Sequence, residues 1–260
     1  LAAERKSFWE TSEKAKALDA VRRISGIRRL SDLPEPKWEK RGEVRREGYR
    51  IEKIVLQPDG AIPIAALLLV PDEPASGATL YLDAEGKQKE AAPGGALEQL
   101  ARGGQIVLAP DLCGLGETAP AGKHSYAAFL PPEWREATIA YLLGKSLLAM
   151  RCEEILLCAR FLGGYGGPSA PRPVDLVSVG RVGPPALHAA ALEPDLFKAF
   201  TLRNSLVSWS NVVHTPLTKN QDVNLVHGAL RKYDLPDLVK TLPDEKISLI
   251  DPLDAAEKQL

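Results

Sequence analysis

Apolar positions at the start of the chain follow a helical spacing. Leu18, Val21 and Ile24 recur every three residues in a stretch rich in Arg, Lys and Glu. This spacing predicts one or two amphipathic helices over residues 4–30. Gly26 is the expected end of the second helix, because glycine readily adopts the left-handed conformation that terminates helices.

The following stretches are extended. Residues 49–57 and 62–70 are largely apolar and flank the turn signal Pro-Asp-Gly at 58–60. Two such runs around a tight turn predict a hairpin-like antiparallel pair of strands.

Short apolar runs alternate with helical segments from residue 78 onwards. The runs are 78–83, 105–109, 174–179, 199–202 and 247–250, and the helical segments are 95–102, 134–162 with a break at Gly144, and 185–192. This order predicts an α/β fold, a mostly parallel sheet with helices on both faces after an antiparallel start. We expect an N-terminal helical extension at 1–40 and one α/β domain at 41–260.

Composition narrows the function classes. The 260 residues are 45% hydrophobic and 26% charged with a net charge of −1, which excludes a disordered chain and gives no field that favours nucleic acid or a membrane surface. Three cysteines cannot form a disulfide framework. No spacing of His, Cys or Asp indicates a metal site, and no motif indicates a cofactor. The glycines of 163–167 follow a helix and precede a strand, the reverse of the order that presents helix N-terminal amides to phosphate.

The strand–turn–helix segment 175–192 carries the clearest chemical signal. A hydrophobic strand runs into a glycine-flanked turn and then into an Ala-rich helix, the context of a nucleophile elbow. The G-x-S-x-G pattern places the nucleophile at position 182, which is Val182, and its last glycine is replaced by Pro184. A β-branched residue is unfavourable at the strained angles of such an elbow, so Val182 predicts a relaxed turn. Ser178 lies inside the strand, where we expect a buried, hydrogen-bonded core serine.

Four segments together resemble a known family. They are 80–87 (Leu-Tyr-Leu-Asp-Ala-Glu-Gly-Lys), 107–118 with its Asp-x-x-Gly-x-Gly-Glu-Thr, the elbow segment, and 233–238 leading to 247–254. In this order they resemble an α/β-hydrolase of the acetylxylan-esterase-like group, over roughly residues 45–256.

The resemblance implies a Ser-Asp-His triad, most of which this chain does not match. The serine position falls on Val182, the acid position on Asp254 or, second, Asp251, and the base position beyond Leu260. The Gly183 N–H would be one oxyanion donor, and the loop 84–86 would form the other side of that hole. Cys113 stands where the family commonly has an Arg. The remaining histidines, His124, His188, His214 and His227, are expected to be surface or structurally satisfied residues.

Three functions follow as hypotheses. The first is a non-catalytic α/β-hydrolase-fold domain that acts as a scaffold for an acylated carbohydrate ligand, for a partner domain of a longer polypeptide or for a homo-oligomer. The second is an active carboxylic-ester hydrolase, an acetyl esterase on acylated carbohydrate, with a non-standard nucleophile for which Cys113 and Ser178 are the candidates. The third is a sugar-binding module in which Trp134 or Trp209 stacks on a ring. The resemblance implies an exported or periplasmic protein, whereas free cysteines are more typical of a reducing compartment.

Overall fold

The computed structural model describes residues 1–73, 75–120, 130–131, 133–167 and 172–260. These residues form one eight-stranded sheet in the spatial order β1-β2-β3-β5-β4-β6-β7-β8. The strands are β1 (Lys37–Arg46), β2 (Tyr49–Gln57), β3 (Ile64–Pro71), β4 (Gly77–Asp83), β5 (Gln105–Pro110), β6 (Val174–Val179), β7 (Phe197–Arg203) and β8 (Ile247–Ile250).

The sheet has an antiparallel part and a parallel part. The pairs β1·β2, β2·β3 and β3·β5 are antiparallel, whereas β5, β4, β6, β7 and β8 run parallel to one another. The predicted antiparallel pair is β2 and β3, in a register that sets Leu56 opposite Ile64. The predicted fold class, a mostly parallel α/β sheet after an antiparallel start, is therefore confirmed.

The helices begin and end where the local chemistry requires it. They are α1 (Ala2–Thr11), α2 (Lys14–Ser25), α3 (Ala96–Arg102), α4 (Trp134–Leu142), α5 (Leu147–Gly164), α6 (Gly183–Leu192), α7 (Trp209–His214) and α8 (Leu235–Val239). Gly26 ends α2 at a φ of 77°, and Gly144 separates α4 from α5 at a φ of 74°, as predicted. Ser146 caps α5, because its side chain accepts a hydrogen bond from the N–H of Ala149 at 3.1 Å.

Side chains alternate between two cores on opposite faces of the sheet. Leu80 and Leu82 point into the larger core, which α5 and α6 cover, whereas Tyr81 points into the smaller core with Leu97 of α3. Both faces of the central strands β4 and β5 are therefore buried, and this layer holds the strand ends at which a site can form.

β1 is the strand that the sequence did not predict. Its ten residues, Lys37–Arg46, are mostly charged and exposed, so they lack the alternation that marks a half-buried strand. The boundary expected between residues 40 and 41 falls within this strand. Among the described residues, no helix is both long and apolar enough to cross a membrane.

Candidate functional site

A small cavity lies at the carboxyl ends of β4, β6 and β7. Its volume is about 250 Å3. In open parallel sheets, ligands and catalytic residues collect at this edge, because the loops that follow the strands meet there. The lining residues are Asp83, Ala84, Glu85, Lys89, Val179, Gly180, Arg181, Asn204, Leu206, Asn220, Gln221, Leu253 and Glu257.

The turn after β6 has its left-handed residue at Gly180. Gly180 has a φ of 75°, and an added Cβ there would lie 3.1 Å from the Cβ of Ala84. Val182, on which the sequence pattern placed the nucleophile, has a φ of −85° and a fully buried side chain in the larger core. The strained position that lifts a side chain above the sheet is thus two residues earlier than the pattern indicated, and it carries no side chain.

The backbone donors expected to form an oxyanion hole already have partners. The N–H of Gly183 donates to the carbonyl of Gly180, as part of the turn that starts α6. An added Cβ at Gly183 would lie 2.0 Å from the Oγ of Ser205, so this helix start packs closely against the segment after β7.

The backbone N–H groups of the loop 84–86 likewise already have hydrogen-bond partners. The N–H of Ala84 donates to the carbonyl of Val179 at 3.2 Å, and the N–H of Glu85 donates to Oδ1 of Asp83 at 2.8 Å. The N–H of Gly86 donates to the carbonyl of Asp83 at 3.1 Å. These amides stabilise the loop and are not aimed at a developing oxyanion.

The carboxylates of both expected acid residues accept hydrogen bonds from residues that follow them in the chain. Oδ1 of Asp254 accepts from the N–H groups of Ala256 and Lys258, each at 2.8 Å. Oδ1 of Asp251 accepts from Nε2 of Gln259 at 2.6 Å. Neither carboxylate contacts a histidine in the described part of the chain.

None of the three histidines that the structure describes lines the cavity. His188 is fully buried, its Nδ1 lies 2.7 Å from the carbonyl of Pro184, and its Nε2 lies 3.0 Å from the hydroxyl of Tyr233. Burial lowers the pKa of His188 to about 4, so the ring is neutral near pH 7. His214 is exposed at the end of α7, and the ring of His227 lies against that of Tyr141. His124 lies outside the described residues.

The two alternative nucleophiles are held in unreactive settings. Cys113 is buried, and burial together with the charge of Glu154 raises the pKa of its thiol to about 12. Ser178 is fully buried within β6, as expected, but the expected hydrogen bond is not found, because its Oγ has no partner among the described residues. A thiolate nucleophile requires a lowered pKa, which Cys113 does not have.

A chain of ion pairs beside the cavity was missed by the sequence analysis. Glu133 is fully buried, and its Oε1 accepts from Nη2 of Arg151 and from Nε of Arg181, both at 2.9 Å. Burial alone would raise the pKa of Glu133, but the two guanidinium groups outweigh it and lower that pKa. Arg181 also pairs with Glu85, at 3.0 Å. These residues are far apart in sequence, so no local motif could have revealed the cluster.

The two tryptophans and the glycine-rich segment lie away from this cavity. Trp209 is buried, with its ring against Tyr233 and its Nε1 donating to the carbonyl of Asn224. Trp134 is half-buried and lines a separate pocket that α4 forms with the end of α2 and residues of the segment 222–227. Residues 164–167 border a groove near Trp38.

Comparisons with known proteins agree with this architecture. A structure assigned as an acetyl xylan esterase of Bacteroides fragilis NCTC 9343 superposes with a TM-score of 0.71 at 18% identity, over 92% of this chain and 67% of that one. The acetyl xylan esterase from Paenibacillus sp. R4 gives 0.51 at 15% identity, over 82% and 66%. A cold-adapted esterase from an Arctic intertidal metagenomic library gives 0.50 at 16% identity, over 83% and 89%.

These structural superpositions establish the fold. The chain has an acetylxylan-esterase-like α/β-hydrolase fold, and it spans about two thirds of the length of the first two proteins. A scan against protein-family models finds no match, and a search of curated proteins also finds none.

Proposed function

We propose that this chain is a non-catalytic α/β-hydrolase-fold domain, in which Gly180 rather than Val182 occupies the nucleophile position. The observation that carries the proposal is the turn after β6. Its left-handed residue, with a φ of 75°, is a glycine, so no hydroxyl or thiol rises above the sheet at this point. The nucleophile of such an elbow adopts strained backbone angles. Gly180 has a left-handed backbone of this kind but no nucleophilic side chain.

The surrounding groups support the same conclusion. The N–H groups of Gly183 and Glu85 are used in local hydrogen bonds, so the expected oxyanion donors are already engaged. His188 is neutral and enclosed by Pro184 and Tyr233, which keeps it from acting as a base in the cavity. Loss of a nucleophile alone costs nearly as much rate as loss of a whole triad, because the triad acts as a unit.

An active ester hydrolase with an unusual nucleophile is the second candidate, and the geometry disfavours it. The thiol of Cys113 has a pKa of about 12, and Ser178 is enclosed within the sheet. Neither side chain lines the cavity at the strand ends. What this domain retains at the usual catalytic position is a polar cavity, which favours binding over bond cleavage.

Initial rates of p-nitrophenyl acetate hydrolysis test the proposal. The purified chain is compared with a heat-inactivated sample and with Gly180→Ser, and we expect no saturable turnover in any of them. Gly180→Ser restores only a hydroxyl, because no described histidine lines the cavity and the expected oxyanion donors already have partners, so it serves as the matched control for a missing nucleophile. Saturable hydrolysis by the native chain would overturn the proposal.

A further inference from the structure

A second pocket lies along α4 and shares no lining residue with the cavity at the strand ends. Its volume is about 970 Å3, near the upper end of the range of about 300–1,000 Å3 that is typical of small-molecule sites. The α4 residues that line it have the spacing of one helix face, and they are Trp134, Ala137, Thr138 and Tyr141. The remaining wall is largely apolar and includes Ile24, Leu147, Val223, Leu225 and Val226. We call this site the α4 pocket.

The wall opposite α4 runs beside the helix from one end to the other. At the start of the helix, Nδ2 of Asn224 donates to the carbonyl of Arg181, whose side chain pairs with Glu133 directly before α4. At the end of the helix, the ring centroids of His227 and Tyr141 are 6.0 Å apart. The α4 pocket is therefore an elongated groove about as long as α4, whose nine residues span about 13 Å.

Two cationic side chains lie at the C-terminal end of this groove. The Oγ of Ser146 donates to the carbonyl of Ser25 at 3.4 Å, which brings the end of α2 next to the residues that follow α4. Arg23 and Lys145 line the pocket from these two segments. Neither side chain has an ion-pair or hydrogen-bond partner in the described part of the chain. One end of an apolar groove therefore carries positive charge without a counter-charge.

The opposite end of the groove is acidic. Asp222 lines it and is half-buried. Burial raises the pKa of Asp222, and the nearby charge of Glu133 raises it further. A carboxylate at this end repels a bound anion, whereas the cations at the other end attract one. The groove is thus polarised along its length.

The stretch between the two ends is apolar and partly open to water. Tyr141 is 59% exposed and Leu225 is 48% exposed, and they lie on opposite walls of the groove. Exposed apolar side chains that line a groove are typical of binding sites, because a ligand that covers them removes their surface from water. A ligand that fits this groove has an apolar body and an acidic group at one end only.

We propose that the α4 pocket binds a medium-chain carboxylate, with its alkyl chain along α4 and its carboxylate beside Arg23 and Lys145. Hydrogen bonds between a carboxylate and such cationic groups are stronger than those between neutral groups. Each methylene that the groove removes from water raises the affinity by about fourfold. The inference goes beyond the proposed function and does not depend on it, because the α4 pocket and the strand-end cavity share no residue.

Isothermal titration of the full chain with sodium decanoate, below its micellar concentration, tests the inference. We expect saturable one-to-one binding with a dissociation constant of about 0.1–1 mM. Decanol and decyltrimethylammonium carry the same alkyl chain without a negative charge, and both should bind about tenfold more weakly or worse. Butanoate keeps the carboxylate but lacks most of the chain, so it should bind at least about 100-fold more weakly.

Each of these comparisons has an outcome that overturns the inference. Absence of saturable decanoate binding would show that the α4 pocket takes no such ligand. Equal affinity for decanol or for decyltrimethylammonium would remove the role of the two cations. Equal affinity for butanoate would indicate an ion held at the surface only.

Two pairs of variants locate the binding, and circular dichroism checks that each variant is folded. Lys145→Glu reverses the charge beside the proposed carboxylate and should weaken decanoate binding about tenfold. Its matched control is Lys198→Glu, because Lys198 is exposed on β7 and does not line the pocket.

Leu225→Asn removes apolar surface from the groove and should also weaken decanoate binding about tenfold. Its matched control is Leu142→Asn, because Leu142 is 76% exposed on α4 but does not line the pocket. Both control variants should bind decanoate as the native chain does. Equal effects within either pair would contradict the assignment of the ligand to the α4 pocket.

Discussion

Arg151 shows how strongly single residues are constrained beside the site. Its side chain is fully buried, its Nε donates to the carbonyl of Cys113 at 2.9 Å, and its Nη2 pairs with Glu133. A buried ion pair gains little over a well-packed apolar pair, but loss of one partner leaves an uncompensated charge in a medium of low polarity. Glu133 provides the negative counter-charge for two guanidinium groups at once.

Glu133→Gln should therefore destabilise the protein by about 3 kcal/mol, since Arg151 and Arg181 both lose their buried counter-charge. Chemical denaturation measures the free energy of unfolding. Glu85→Gln is the matched control, because Glu85 also pairs with Arg181 but its side chain is 68% exposed, and it should cost less than about 1 kcal/mol. Equal losses in the two variants would contradict the role given to Glu133.

The sequence indicated the position of the elbow but not which residue occupies its strained site. Strand, turn and helix at 174–192 were predicted from hydrophobic periodicity and glycine content. The G-x-S-x-G template was aligned on Val182, whereas the left-handed φ is at Gly180. Two glycines in one turn leave the register ambiguous, because only the backbone angles tell which of them ends the strand.

At the scale of elements, buried strands were predictable and the exposed strand was not. β6, in which every second residue is buried, has the predicted bounds, because its apolar run lies between polar loops. β1 forms because its backbone pairs with β2, in a register from Lys37·Gln57 to Arg46·Tyr49. Backbone pairing of this kind does not require apolar side chains, so it cannot be predicted from a hydrophobic pattern. The cavity-lining amides were missed for a related reason, since they come from separate loops.

Close packing at the start of α6 gives an element-scale prediction. Gly183→Ala places a Cβ 2.0 Å from Oγ and 2.6 Å from Cβ of Ser205, which must move together with its backbone. We expect a loss of about 1–3 kcal/mol in the free energy of unfolding, as is usual for overpacking.

Gly164→Ala is the control for this substitution. Gly164 also lies in a helix, at the end of α5, and an added Cβ there meets no atom within 4 Å. Thermal denaturation should show a lower melting temperature for Gly183→Ala and an unchanged or slightly higher one for Gly164→Ala. Similar effects of the two changes would contradict the close contact at Ser205.

The whole molecule carries a pH dependence that originates in its core. Burial raises the pKa of Glu154 to about 7, although its carboxylate accepts from the N–H of Cys113 at 2.7 Å. Between its ordinary pKa of 4.5 and about 7, the folded state therefore holds a proton that the unfolded state releases. Stability falls as pH rises through this window and stays lower above it.

Glu154→Gln should remove that fall, because an amide does not ionise. Relative to the native chain, the variant should be more stable at high pH, by up to about 3 kcal/mol, with the difference vanishing towards pH 4.5. Urea denaturation across this range measures the difference. The neutral His188, whose lowered pKa removes stability as pH falls, is present in both proteins and cancels. A constant difference at all pH values would contradict the account.

The absence of an activated nucleophile is the central claim, and intact-mass spectrometry tests it most directly. The native chain is incubated with a fluorophosphonate, which forms a covalent adduct with the activated serine of a working esterase. Because Gly180 presents no side chain at the strained turn, the account predicts an unchanged mass. A stoichiometric increase by one phosphonyl group would contradict it, and the modified residue would then identify the nucleophile.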